Sequence, residues 1–493
     1  MYYNTKGSAK SARLQSEAKK LINNKKLPLT EGPIFGRMIT FALPIMLTGI
    51  LQTLYSMADN IIVGQFSGDV NALGAVGSTS TLNSLILTLL LGISVGTSVV
   101  VAQAYGAKNE RVVSRAAHTA LAVSLIGGIL FMIAGLIASR PVLVLMGTRP
   151  VLLDGAVLYF RIICLGIPAT AVYNFAAGIL RSVGDSKTPL IILSSTGLVN
   201  VGLNFVFVCL CDMSVEGVAI ATIVSQYLSA IVSVYVLWRQ RSECYGFSFK
   251  KLCIDRWQLK RILRLGIPSG LQSAMFSISN MLIVSGINTL GDHAIKANTI
   301  AGNIDAITYI ACNAFSAAAM TFTGQNYGAG KFDRVKKTVI YGLIQVAIFG
   351  IAFGQLFLLF ADQLSSLYIA SDDPYRVEIL ALTEGVLFLL LNIYFVCGLM
   401  DVMAGVLKGL GYSLAPMIIS IVCICGIRIV WRYAAFPLEA FNSIEGIYLS
   451  YPISWSVAFI CYLTLYIIAR SKIKKRLNAS ANTQSDTKTT VEV

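Results

Sequence analysis

The chain has 493 residues, 56% of them hydrophobic and only 13% charged, with mean hydropathy +0.72 and net charge +15. A soluble protein of this length carries far more surface charge, so a cytoplasmic enzyme or scaffold is excluded. Nucleic-acid binding is not the meaning of the positive charge either, because the basic residues sit in alternate connections and both tails, and no RNA- or DNA-binding motif accompanies them.

In chain order, residues 1–35 form a polar, basic tail with no short apolar stretch of the signal-peptide kind. Uncharged blocks such as Ser84 to Ala102 and Thr119 to Ser139 are long enough to cross a bilayer, and about twelve such blocks recur. The first six spans are predicted near 38–66, 72–104, 116–138, 157–180, 188–211 and 216–238. After a basic linker, 239–261, six more follow near 262–290, 296–327, 338–361, 381–408, 413–433 and 443–470. The composition of 471–493, rich in Ser, Thr and Asn, predicts a disordered tail. Pro44, Pro168 and Pro268 fall inside spans and are natural kink sites. The predicted fold is therefore an all-α membrane protein of twelve transmembrane helices.

About 32 of the 39 Lys and Arg lie in the two tails, the central linker and the connections joined to the same side, which predicts cytoplasmic termini. The acidic pair Asp372-Asp373 falls on the opposite side. The two halves repeat: AQAYGAKNERV (102–112) answers GQNYGAGKFDRV (324–335), and AAGILRSVGDSKTPLII (176–192) answers MAGVLKGLGYSLAPMII (403–419). VEGVAIA (215–221) answers IEGIYLS (444–450), and Pro44 answers Pro268. With six helices per half, both halves enter from the same side, so the repeat is parallel. Two six-helix lobes, 36–238 and 262–470, then flank a path along the membrane normal.

Ionisable residues inside spans are costly and point to function. Asp59 lies in the first span, on one face with Gln52 and Ser56. The competing reading is an acid reaching toward the headgroups. Asn200 and Asn204 stand one turn apart in the fifth span below Thr196, and Thr222 and Gln226 do so in the sixth. Asp59, Asn200, Asn204 and Thr222 together offer the oxygens that a hard cation such as Na⁺ prefers. The rival for the amides and hydroxyl is interhelical bonding that only holds the bundle. Asp305 shares a face with Tyr309 and Asn313 in the eighth span, Asp401 lies in the tenth, and Arg428 in the eleventh. These residues are candidates to line a cavity, or to form a structural ion pair between Arg428 and one of the acids. Arg161 is read as an external snorkelling residue. The ten cysteines fit small buried hydrophobes, without zinc spacing. GQNYGAGK lacks the spacing of a nucleotide phosphate loop, and no Ser/His/Asp arrangement occurs, so neither ATP use nor catalysis is expected.

The repeated motifs, with LPIMLTGILQTLYSMADNIIVGQ, ILRSVGDSKTP, LVNVGLNFVF and VEGVAIATIVSQ, resemble the multidrug and toxic compound extrusion (MATE) family over about residues 35–470. The resemblance implies export of small amphiphilic, often cationic, organic compounds in exchange for Na⁺ or H⁺ by alternating access, with no other cofactor. It also implies a multi-pass inner-membrane protein of a bacterium, with a monomer as the simplest unit. Asp59, Asn200, Asn204 and Thr222 match the family's N-terminal-lobe cation site, although many members have Asp where this chain has Asn204. One carboxylate in place of two leaves proton binding at Asp59 as the rival to Na⁺. Another branch of the family carries acids in the C-terminal lobe, where this chain has Phe276 and Cys397. The alternative function is a flippase of related two-lobed architecture that moves a lipid-linked saccharide.

Overall fold

The computed structural model describes residues 27–66, 72–211, 213–369 and 373–489. Part of the basic N-terminal tail and Asp372 lie outside them. Among the described residues the chain is helical, with no strand. Twelve helices are long and apolar enough to cross a membrane. The first half contributes α1 (Ile34–Val63), α2 (Gly74–Gly106), α3 (Glu110–Leu145), α4 (Pro150–Ser182), α5 (Lys187–Leu210) and α6 (Val215–Arg239). The second contributes α7 (Arg256–Leu290), α8 (Asp292–Gly328), α9 (Phe332–Leu359), α10 (Arg376–Gly409), α11 (Leu414–Ala435) and α12 (Ile444–Lys474). Each helix is amphiphobic rather than amphipathic: apolar side chains face both lipid and neighbours, as in Ile137 and Leu198, 74% and 68% exposed.

Pro44, Pro168 and Pro268 all lie inside helices that continue past them. The Pro44 carbonyl accepts from the Thr48 hydroxyl at 2.7 Å, one of the local side-chain bonds that accompany prolines in spanning helices. Two repeat-related helices, α5 and α11, contain π-helical turns, at Val206–Leu210 and at Ser420–Gly426 and Trp431–Ala435. Such turns gather at functional sites because they widen the helix and re-aim its side chains. The last helix runs on to Thr489, through the stretch whose composition predicts disorder; no Gly or Pro after Pro452 interrupts it.

The linker between the halves is anchored. Asp255 caps α7 by accepting from the backbone N–H groups of Trp257 and Gln258, and it pairs with Arg115 of α3 at 3.2 Å. The Ser248 N–H donates to His118 Nε2 at 3.1 Å. All ten cysteines are free.

The halves meet where the repeated Gln and Gly of AQAYG and GQNYG cross. A Cβ on Gly106 would stand 2.0 Å from the Gln325 carbonyl oxygen, and one on Gly328 would stand 1.9 Å from the Gln103 carbonyl oxygen. Only glycine lets these backbones touch. The side chains repeat the symmetry: Gln103 Nε2 donates to the Gly409 carbonyl at 2.9 Å, and Gln325 Nε2 to the Ser182 carbonyl at 2.6 Å. Further along, Gly92 and Gly96 of α2 lie against Gly270 and Gly266 of α7. A strap before α1 closes the same end. The Leu27 N–H donates to the Gly184 carbonyl at 3.2 Å, Asn326 donates to the Leu29 carbonyl at 3.2 Å, and Arg334 donates to the Gly32 carbonyl at 3.0 Å. This packed end carries the Lys- and Arg-rich connections.

Candidate functional site

The residues expected to bind a cation come together on three neighbouring helices. Asp59 is half-buried on α1, and Asn204, fully buried on α5, donates its amide N–H to the carboxylate Oδ1. One turn away on the same α5 face, Asn200 Nδ2 reaches Thr222 Oγ1 of α6 at 3.5 Å. The Thr222 hydroxyl donates its own proton to the Val218 carbonyl at 2.9 Å, so its lone pairs stay available. Asn204 Oδ1 is buried and has no hydrogen-bond partner. Thr196, the third member of that face, bonds to Ser229 of α6 at 2.7 Å and ties the two helices together.

Glycine brings α1 close enough for this arrangement. Gly197 lies under the Tyr55 ring, where a Cβ would stand 1.9 Å from the nearest ring carbon. The Tyr55 hydroxyl donates to the Ser194 carbonyl at 3.1 Å, which pins α1 to α5 one turn before Asp59. Sequence reasoning passed over both residues; the signal was a glycine one helical turn from Asn200, facing an aromatic on another span.

Other expected residues are placed differently. Gln52 and Ser56 are exposed and do not join the Asp59 group. Gln226 Oε1 is buried without a partner, against Gly166 of α4. Arg161 is exposed, and its Nε donates to Ser139 Oγ of α3 at 3.0 Å.

In the C-terminal lobe Arg428 is fully buried, yet it forms no ion pair with Asp305 or Asp401, against the expected structural pair. Its Nη1 donates to Asn280 Oδ1 of α7 at 2.5 Å, and its guanidinium lies 3.9 Å above the Tyr451 ring and 5.2 Å from that of Phe276. Aromatic faces replace the carboxylate because α12 presents Tyr448, Tyr451 and Trp455 along one face: Tyr448 stacks on Tyr451, and Trp455 meets Tyr451 edge-on and Tyr394 at a tilt. Nε and Nη2 of Arg428 remain unpartnered. Tyr309 is half-buried on α8, on the face it shares with Asp305 and Asn313. One Asp401 carboxylate oxygen is buried without a hydrogen bond. Among the described residues no three His, Cys, Asp or Glu are grouped as a metal site.

A Bacillus subtilis protein described as "Probable multidrug resistance protein YoeA" is 26% identical over 461 residues, 92% of this chain and 97% of that one. A Thermotoga maritima protein described as "Probable multidrug resistance protein NorM" is 26% identical, covering 82% of this chain and 86% of its own length. A solved outward-facing multidrug resistance MATE family transporter of the MOP superfamily shares the fold with TM-score 0.82 at 24% identity, over 92% of this chain and 99% of that one. A MOP superfamily transporter from Pyrococcus furiosus does so with TM-score 0.83 at 24% identity, over 90% and 98%. The MatE family profile matches residues 44–206 and 268–434, one copy in each lobe. With a matching copy in both halves and the twelve-helix fold around them, the chain belongs to the multidrug and toxic compound extrusion (MatE) family of membrane transporters.

Proposed function

We propose that the protein is a secondary active exporter of amphiphilic organic cations, driven by inward movement of Na⁺ or H⁺ at Asp59. The observation that carries this reading is the hydrogen bond from Asn204 to the Asp59 carboxylate beside an unpaired amide oxygen. An amide that donates to an ionised carboxylate can rotate and accept from the protonated acid. Proton arrival at Asp59 would therefore reverse the Asn204 amide. Na⁺ would instead gather Asp59, the Asn204 and Asn200 carbonyl oxygens and the Thr222 hydroxyl oxygen. Either event moves α5 relative to α1.

In this reading the packed Lys- and Arg-rich end is cytoplasmic, as are both termini. Gln52, Ser56, Ser84 and Asn303 are exposed at span depth, which suits a water-filled cleft between the lobes better than lipid. One charge crossing 100 mV supplies about 2.3 kcal/mol, roughly a 50-fold gradient, so export needs no ATP. Asp305, Tyr309 and Asp401 would add negative character to the substrate path.

Purified protein in liposomes, loaded with a fluorescent organic cation, tests the proposal under an imposed Na⁺ or H⁺ gradient. One gradient is expected to drive transport, and Asp59→Asn to abolish that coupling. Transport that survives Asp59→Asn would move coupling to the C-terminal acids. If neither gradient moves the dye, the lipid-linked saccharide flippase is the reading to test.

A further inference from the structure

On the Lys- and Arg-rich side, a crevice of about 890 Å³ opens between the first turns of α7 and the turn joining α10 to α11. Arg256, Lys260 and Arg264 line it. Spaced one helical turn apart, they form a single basic face. All three are exposed, and none makes an ion pair or hydrogen bond to another described residue. Their neighbours behave otherwise: Arg261 bonds to Gln103 at 3.2 Å and Arg115 pairs with Asp255. Ser413, 2% exposed, is also among the lining residues, and its buried hydroxyl has no hydrogen-bond partner. Leu263 and the exposed Leu414 supply an apolar wall that continues toward the bilayer.

The repeat offers an internal comparison. Aligning Pro268 with Pro44 places Gly32, Gly36 and Thr40 where the second half has Arg256, Lys260 and Arg264. The helix start therefore does not need the charges in order to pack. The turn equivalent to 411–413 is 184–186. There Asp185 is satisfied by the Thr188 N–H at 2.9 Å and hydroxyl at 2.6 Å, and the strap covers Gly184 through the Leu27 N–H. Among the described residues, the second half combines an open crevice, three unpaired cations and a buried unpaired hydroxyl at this turn.

We propose that this crevice binds one anionic phospholipid. Its phosphate lies against Arg256, Lys260 and Arg264 and accepts from the Ser413 hydroxyl, and an acyl chain runs along Leu263 and Leu414. Basic pockets between spanning helices suit such headgroups, where each cation is worth about fivefold in affinity. A bound headgroup bridges α7 to the start of α11, two helices of the same lobe.

The test titrates the full-length protein in detergent with phosphatidylglycerol or phosphatidylcholine, following the lipid-bound form by native mass spectrometry. Phosphatidylglycerol is expected to bind one copy preferentially. Combined Arg256→Gln, Lys260→Gln and Arg264→Gln should weaken it about a hundredfold. The control variant Arg111→Gln, Lys336→Gln and Lys337→Gln removes equal charge from the same side and should leave it unchanged. Arg256→Lys with Arg264→Lys should retain binding and guards against misfolding of the neutral variant. Equal binding of the two lipids overturns the proposal, as does an equal loss in the control. Displacement of the lipid by excess inorganic phosphate alone would make the site a simple anion site and would also overturn it.

Discussion

Gly106→Ala should open the packed end of the transporter. The new Cβ would stand 2.0 Å from the Gln325 carbonyl oxygen, 2.7 Å from its carbon and 2.8 Å from Gln325 Cα. All three are backbone atoms, so no side-chain rotation relieves the clash, and α2 and α8 must separate by about 1 Å or more to restore ordinary contact. Overpacking of this kind costs about 1–3 kcal/mol. Separation also stretches the Gln325 bond to the buried Ser182 carbonyl, and a buried carbonyl left without its donor costs about 1–3 kcal/mol more. Both losses fall on the packed state alone. Together they come to about 2–6 kcal/mol, which changes the ratio of the two access states by about 30-fold at the least. Hydrogen exchange at residues 99–107 and 321–329 should rise in Gly106→Ala, and dye transport should slow as the packed state becomes rare. Gly328→Ala, at 1.9 Å from the Gln103 carbonyl oxygen, should match it, because the two glycines are symmetry partners. The two effects should not add, since they load one interface. Exchange at both segments unchanged in both variants would refute the assignment of this crossing as a gate. Faster exchange with unaltered transport would show that the packed state lies outside the working cycle.

Two further outcomes follow from particular contacts. Arg428→Met should melt at the same temperature as the parent or higher, by up to about 1–4 kcal/mol of stability, because a buried guanidinium with unpartnered Nε and Nη2 is replaced by an apolar chain of similar length. Transport should fall in the same variant, whereas a clear drop in melting temperature would show that the Tyr451 face already compensates the charge. At the linker, the N–H groups of Gln258 and Trp257, with Arg115 nearby, hold the Asp255 carboxyl below the usual carboxylate range. Its stabilising contribution is therefore present above the free carboxylate pKa and lost as pH falls through the lower folded value. Asp255→Ala should cost about 1 kcal/mol at neutral pH through the lost cap, and the gap from the parent should close in strong acid; a melting difference that is constant with pH would contradict this.

Much of the fold was legible in the sequence because a bilayer imposes length and polarity together. The expected span at 188–211 against the observed Lys187–Leu210 shows how closely uncharged blocks delimit helices. The shared face of Asn200 and Asn204 was also readable, since residues one turn apart share a face whatever the fold, whereas their grouping with Asp59 and Thr222 on other helices was carried by the family resemblance. Partners that depend on how helices cross were not readable. Arg428 seeks an aromatic face instead of Asp305 or Asp401 because α12 happens to present Tyr451 there, and nothing in the eleventh span alone says so. The Tyr55–Gly197 contact was hidden for the same reason: a missing side chain leaves no polarity signal.

The repeat divides the work of the molecule. Where the halves touch, both copies keep the same chemistry: Gln103 and Gln325 each reach a main-chain carbonyl of the opposite lobe, and Gly106 and Gly328 each lie against the other's glutamine. A two-fold interface needs equivalent contacts from both partners, so symmetry survives there. Away from the axis no such constraint acts, and the lobes diverge. The first half sets the Asp59 carboxylate of α1 against the Asn204 amide of α5. The corresponding region of the second sets Asn280 of α7 against Arg428 of α11, a permanent cation on the helix that repeats α5. On the proposed coupling at Asp59, the acid that gains and loses a positive charge beside an amide able to reverse its hydrogen bond lies in the first half. A lobe with its cation built in can respond to the movement but cannot initiate it by ion binding at that place. On the proposed coupling at Asp59, the symmetric glutamine–glycine crossing is the contact that would pass the movement to the other lobe.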